Sequence, residues 1–294
     1  MDIVFDSAVR DDERRKQLYT GDIFVYSPNP ATRALCAFAR EMAEQAFHPL
    51  DPREAQHSMP VEQFAGVLAE LKPAFIHDSR TKTLLQDVMR SLGCDLAQCY
   101  FDVPRMRSST SGGYLKSGIA YAFHPHRDTW YSAPLCQINW WLPMYPVQRG
   151  SGMNIYPEYW NNAVRNGSRT YNYAQWNRES RYNAAQHIHK DTRIQPKPEE
   201  AMNLKGAVSI EGPPGSLTMF SAAQMHASAD NQGNETRFSV DFRTVHWDDV
   251  VLGKGAANVD SECAGTTMGD YLRGSSLAHL PQEWIDRYEA GWAR

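Results

Sequence analysis

His126-Arg127-Asp128, in the middle of the chain, is answered a hundred residues downstream by His226 and then by Arg237. Two imidazoles and one carboxylate can occupy one face of an octahedral metal and leave the other three positions open. Proteins hold non-haem Fe(II) for oxygen chemistry in this way. Arg237 stands eleven residues past the distal histidine, and a guanidinium there can grip a carboxylate bidentately near the metal. Together the two features imply iron and a 2-oxo acid co-substrate.

Strands must position such residues. In Arg237-Phe238-Ser239-Val240-Asp241-Phe242-Arg243 the side chains alternate. Phe238, Val240 and Phe242 then share an apolar face that can pack against helices, and the charged face meets a ligand-holding lumen. In Leu135–Leu142 the same alternation sets Gln137, Asn139 and Trp141 against Cys136, Ile138 and Trp140. Pro214–Phe220 reads as a turn and a strand that delivers His226 at its end, with Ser228 facing the same lumen. Further candidate strands are Ala97–Val103, Ile119–Phe123, Met153–Tyr156 and Ala207–Ile210. The first third reads helical, over Ala31–Phe47, Val61–Leu71 and Thr81–Leu92, and Pro281–Ala290 closes the chain as a short helix.

The fold class expected is mainly β with flanking helices, in a single domain. Residues 1–95 form a mainly helical layer, 96–156 and 206–246 the β core, 157–205 an insertion or lid, and 247–294 a C-terminal extension. The insertion is rich in Asn, Arg, Tyr and Trp, a composition suited to a binding loop over a polar substrate. Tyr131, Trp141, Trp160, Arg165 and Arg243 are the candidate substrate contacts.

HRD at 126–128, PGSLTMFSAAQMH at 214–226 and RFSVDFR at 237–243 resemble the Fe(II)/2-oxoglutarate-dependent oxygenase superfamily over about residues 115 to 246. The His-to-Arg spacing and the serine two past the distal histidine look like its phytanoyl-CoA hydroxylase-like branch. The resemblance implies a double-stranded β-helix (jelly-roll, cupin-like) core, with His126, Asp128 and His226 on iron. It implies Arg237 and Ser228 on the distal carboxylate of 2-oxoglutarate, with Asn139 a candidate for its keto-acid end. The implied activity uses O2 and 2-oxoglutarate to hydroxylate or otherwise oxidise an unactivated C–H of a small polar molecule, such as an amino-acid derivative or natural-product intermediate. Succinate and CO2 are released, and no catalytic residue is needed beyond the metal centre. Halogenating members replace the carboxylate ligand with a small residue; Asp128 is present, which favours oxidation.

Other metal chemistries use overlapping residues. His124-Pro125-His126-Arg127-Asp128 nearly matches the HxHxDH motif of metallo-β-lactamase-like zinc hydrolases, with Thr129 where the final histidine belongs. A cupin could use His124, His126 and His226. Arg237 and Arg243 also resemble the paired arginines of nucleic-acid dealkylases in the same superfamily, but a net charge of −4 over 294 residues offers no basic stripe for nucleic acid. No apolar run is long enough for a membrane span, and the opening residues MDIVFDSAVRDDERRKQ are too charged for a secretory signal. Cys36, Cys94, Cys99, Cys136 and Cys263 lack a disulfide-like spacing, which fits reduced thiols in the cytoplasm.

Overall fold

The computed structural model describes residues 1–115, 117–120, 124–180, 186–190 and 193–292. In chain order its strands are β1 (Ile3–Phe5), β2 (Ile23–Tyr26), β3 (Cys99–Phe101), β4 (Arg105–Ser109), β5 (Ile138–Pro143) and β6 (Met153–Ile155). They continue as β7 (Val208–Ile210), β8 (Leu217–Ser221), β9 (His226–Ser228), β10 (Arg237–His246) and β11 (Leu272–Arg273). The α-helices are α1 (Asp11–Tyr19), α2 (Pro30–Phe47), α3 (Val61–His77), α4 (Ser79–Ser91), α5 (Tyr173–Glu179), α6 (Trp247–Leu252) and α7 (Gln282–Glu289).

β10 organises the main sheet. It pairs antiparallel with β5 on one edge, placing Asp241 opposite Trp141 and Arg243 opposite Asn139. On the other edge it pairs with β4 and then β3, placing Arg237 opposite Ser109 and Asp241 opposite Arg105. β8 and then β2 and β1 extend the sheet past β5, and β11 closes it beyond β3, for eight strands in all. A second sheet of three strands runs β7-β6-β9.

The period-2 alternation decides both faces. Phe238, Val240 and Phe242 of β10 and Ile138, Trp140 and Leu142 of β5 join one buried cluster with Leu35, Phe38, Phe64, Leu68 and Phe75 of α2 and α3. On the other face, Trp141 and Phe220 pack with Met153, Ile155 and Ile210 of the small sheet. The two sheets are thus stacked through a shared apolar layer, with helices covering the outside.

Three expectations need correction. Helix accounts for more residues than strand, so the chain is mixed rather than mainly β. The mainly helical N-terminal layer also contributes two strands. Ile23-Phe24-Val25-Tyr26 is β-branched and aromatic, and it joins the main sheet against β8 while carrying β1 in parallel. α3 runs past Leu71 through Pro73 to His77. A mid-helix proline forfeits one backbone hydrogen bond, but the next turn buries Phe75 completely, and that burial outweighs the loss. Of the expected strand Ile119–Phe123, residues 118–120 form a 3-10 turn and 121–123 lie outside the described residues.

Candidate metal centre and adjoining cavity

Two distant segments meet through their backbones. The His126 amide donates to the His226 carbonyl and the His226 amide to the His126 carbonyl, each at 2.9 Å. This reciprocal bridge sets the two rings side by side, centroids 4.3 Å apart. His226 opens β9 rather than ending β8; a turn through Ala222–Met225 intervenes. Asp128, two residues past His126, starts a 3-10 turn whose amide donates to the Ala222 carbonyl at 2.9 Å. Arg127 between them points the other way, fully buried, where it holds Asp260 at 3.0 Å and the Ala223 carbonyl at 2.5 Å.

The ring nitrogens are committed. His126 Nδ1 lies 2.8 Å from the His124 carbonyl and His226 Nδ1 lies 2.9 Å from the Gln224 carbonyl. A carbonyl can only accept, so Nδ1 carries the proton in both rings and Nε2 presents its lone pair. Both Nε2 atoms face Asp128 Oδ1, at 3.5 and 4.0 Å. Carbonyl acceptors behind metal-binding histidines serve to fix tautomer and ring orientation in this manner. Burial, reinforced by His126, pushes His226 down to about 4, so it stays neutral and available near neutral pH.

The carboxylate is divided between two tasks. Oδ2 accepts from Gln137 Nε2 at 3.0 Å and Arg243 Nε at 3.2 Å, and Oδ1 is left toward the imidazoles. Burial alone would raise the Asp128 pKa. The Arg243 guanidinium and the two imidazoles prevail and hold it well below the usual carboxylate range. Gln137 is itself oriented: Tyr271 donates its hydroxyl to Oε1 at 2.7 Å, and Nε2 also reaches Asn139 Oδ1 at 2.8 Å. Arg243 is clamped further by Asp102, through Nη1 at 3.2 Å and its own backbone amide at 2.8 Å. Among the described residues, His126, Asp128 and His226 form a buried group whose ligand atoms lie within 4.8 Å of one another, a geometry able to hold a metal ion.

Tyr271 touches this site through its hydrogen bond to Gln137. Removing its hydroxyl leaves Gln137 free to turn and costs one net hydrogen bond, roughly 0.5–1.5 kcal/mol. Tyr271→Phe is therefore expected to weaken Co(II) binding several-fold with the fold intact, as measured by metal titration beside a thermal melt. Unchanged affinity would sever Tyr271 from the site.

A cavity of about 370 Å³ opens beside the triad, lined by Asn139, Trp141, Ser228 and Arg237 as well as by Tyr131 and Arg243. Arg237 Nη2 lies 3.5 Å from Ser228 Oγ and its guanidinium sits 5.7 Å from the centre of the Trp141 ring. Its Nε is buried with no partner among the described residues. Burial pushes the Arg237 pKa down to about 10 despite the opposing pull of Asp241. A buried guanidinium with an unused donor fits a carboxylate ligand.

Not every expected contact is here. Arg243 lines the cavity with its Nε on Asp128 and its Nη1 on Asp102. Trp160 and Arg165 do not line it. Trp160 packs on Gly21 so closely that a Cβ there would lie 2.7 Å from the ring, and exposed Arg165 binds the Glu199 carbonyl at 2.7 Å. Both belong to the outer side of the insertion, and composition alone could not tell that side from the inner one. His124 stays apart from the triad, its Nε2 on the Pro196 carbonyl at 2.7 Å, so it leaves the His126–Asp128–His226 group as found. Lys72, Asp102 and Tyr271 escaped the sequence reading. Lys72 was legible in principle, since it falls in phase with Phe64 and Leu68 on the buried stripe of α3. Tyr271 carried no local signal.

No protein-family model matches this sequence, and no curated protein matches it. Among solved structures, EvdO2 from Micromonospora carbonacea var. aurantiaca complexed with 2-oxoglutarate is 11% identical, over 81% of this chain and 92% of that one, with a TM-score of 0.48. The non-heme monooxygenase ThoJ in its apo form is 15% identical over 94% and 93%, at 0.41. SnoN, a non-heme alpha-ketoglutarate-dependent epimerase from nogalamycin biosynthesis, is 11% identical over 80% and 84%, at 0.38. Likeness at that level does not by itself establish fold or family; the functional reading rests on the site.

Proposed function

We propose that the chain is a non-haem Fe(II)/2-oxoglutarate-dependent oxygenase of a small molecule, acting as a single domain on a double-stranded β-helix core. One observation carries the reading. Two imidazole Nε2 atoms and one carboxylate oxygen converge beside a buried arginine whose Nε lacks a partner. The donor set is that of a facial triad, and the orphaned nitrogen is what a co-substrate carboxylate would satisfy. The stacked sheets support the β-helix core. Tyr271 and β2, drawn from opposite ends of the chain, support one domain.

Bound iron, 2-oxoglutarate and O2 would supply oxidation of an unactivated C–H coupled to formation of succinate and CO2. The chain's own work is positioning. His126 and His226 offer Nε2 because carbonyls hold their Nδ1 protons. Asp128 offers Oδ1 because Gln137 and Arg243 hold Oδ2. Arg237 and Ser228 would take the distal carboxylate, and Asn139, held by Gln137, would orient the keto-acid end. Tyr131 lies edge-on to His126 at 5.5 Å and lines the same cavity.

Anaerobic titration of metal-free protein with Fe(II) and then 2-oxoglutarate tests this. A weak visible charge-transfer band that saturates at one equivalent of each is the expected result. Folded, metal-loaded protein that shows no band would overturn the reading.

A further inference from the structure

Iron and 2-oxoglutarate leave much of the cavity's chemistry unused. Besides Arg193, its lining carries five cations, Lys72, Arg105, Arg107, Arg237 and Arg243, against three carboxylates, Asp102, Asp128 and Asp241. Fe(II) would add two positive charges and 2-oxoglutarate remove two, so the lining's surplus persists in the loaded site. A surplus of buried charge is costly unless something pairs with it.

The surplus has a location. Arg105 is paired with Asp102 at 2.7 Å, Arg107 with Asp241 at 2.9 Å, and Arg243 with Asp102 and Asp128 at 3.2 Å each. Lys72 reaches in from α3, and its hydrogen bond goes to the neutral carbonyl of Ile119. Burial and then the nearby Arg107 push its ammonium down to about 7, with Asp241 offsetting only part of this. That is the behaviour of a cation short of a counter-charge.

Another part of the lining is aromatic and comes largely from the insertion. Tyr131 meets Tyr171 with ring centres 5.4 Å apart, and Trp176 of α5 lies 6.5 Å from Tyr171 and stacks on Tyr173 at 6.0 Å. All four line the cavity. Among the described residues Trp176 Nε1 is buried without a partner, and an indole N–H can only donate. Asp241 Oδ1, also buried and unpartnered among the described residues, is an acceptor suited to a hydroxyl or amine.

We propose that the substrate is a small organic anion, its carboxylate or phosphate received by Lys72 and Arg107 where α3 meets β4, and its apolar or aromatic body laid along the Tyr131–Tyr171–Trp176 wall. The proposal rests on the oxygenase reading for what happens to the molecule, but not for its binding. A cavity of about 370 Å³ is at the small end of ligand sites, so the anion is compact and not a long acyl chain.

The test uses benzoate and phenyl phosphate as probes, with benzamide and benzyl alcohol as their neutral counterparts. Each is titrated into full-length protein loaded with Zn(II) and saturating 2-oxoglutarate, so that Arg237 is engaged, and binding is followed by tryptophan fluorescence. At least one anion should bind tenfold or more tightly than either neutral compound, and the tighter of the two identifies the acidic group. Lys72→Met should erase most of that preference, and Trp176→Phe should weaken the anion several-fold. The idea fails if the neutral compounds bind equally well, if the preference survives Lys72→Met, or if 2-oxoglutarate competes the probe away. Should Lys72→Met not fold, the wild-type comparison still decides. If the protein takes no 2-oxoglutarate at all, the oxygenase reading falls, and the same titrations on metal-free protein judge the anion site separately.

Discussion

His226→Ala should leave a folded protein that no longer holds metal. The substitution deletes one of three ligand atoms and leaves His126 and Asp128 as an incomplete pair. The ring it removes is neutral, with burial and His126 holding its pKa down to about 4, so no buried charge is orphaned. The reciprocal backbone hydrogen bonds with residue 126 do not involve the side chain. The cost to stability is that of a cavity and one unpaired carbonyl, roughly 1–3 kcal/mol. Loss of metal should be complete at micromolar Fe(II) or Co(II), and 2-oxoglutarate turnover should fall to background. Metal titration beside a thermal melt checks both. A folded variant with wild-type metal stoichiometry and affinity would remove His226 from the ligand set.

Arg237→Leu carries the second large effect, and its signature separates a ligand-binding arginine from a structural one. Charge-assisted hydrogen bonds contribute about 1.5–3 kcal/mol each. Losing the clamp on a carboxylate should therefore raise the KM for 2-oxoglutarate by about two orders of magnitude, while metal affinity stays unchanged. Stability should move the other way. Without ligand, Arg237 is a desolvated cation with an unsatisfied Nε. Replacing such a group with an apolar side chain is commonly neutral or stabilising. A raised melting temperature with weakened 2-oxoglutarate use is the expected pair of results. A large drop in melting temperature with an unchanged KM would mean that Arg237 serves the fold.

The parts of the site legible in the sequence were those with local spacing. His126 and Asp128 share a face because they are two apart in extended chain, and the alternation in 237–243 separates the helix-facing aromatics from the cavity-facing charges. The strand Leu135–Leu142 split its faces as the same rule demands. The roles of Arg243 and Tyr271 were not legible, because they depend on which strand lies beside which. Arg243 reads as a cavity charge until the pairing with β5 sets it opposite Asn139 and within reach of Asp128. The insertion failed for a related reason. Its Trp and Arg content was plain, but Trp176 faces the cavity while Trp160 packs on Gly21, and nothing in their neighbours distinguishes the two. β1 and β2 were missed because they flank and alternate with helices in the first third, where the helical period dominates the pattern, whereas the equally short β6 and β7 lie among other strand-like runs.

The paired amides and carbonyls of His126 and His226 also bear on how metal and fold are coupled. They close a loop of a hundred residues through main-chain hydrogen bonds that need no ion, so the entropy of bringing those ends together is met by the fold itself. An ion bridging residues 126, 128 and 226 then cross-links a ring that exists and has little left to order. Its binding free energy should appear as extra resistance of the whole β core to opening, because the ring includes β5, β6, β7 and β8. Chelation would loosen that ring without dismantling it.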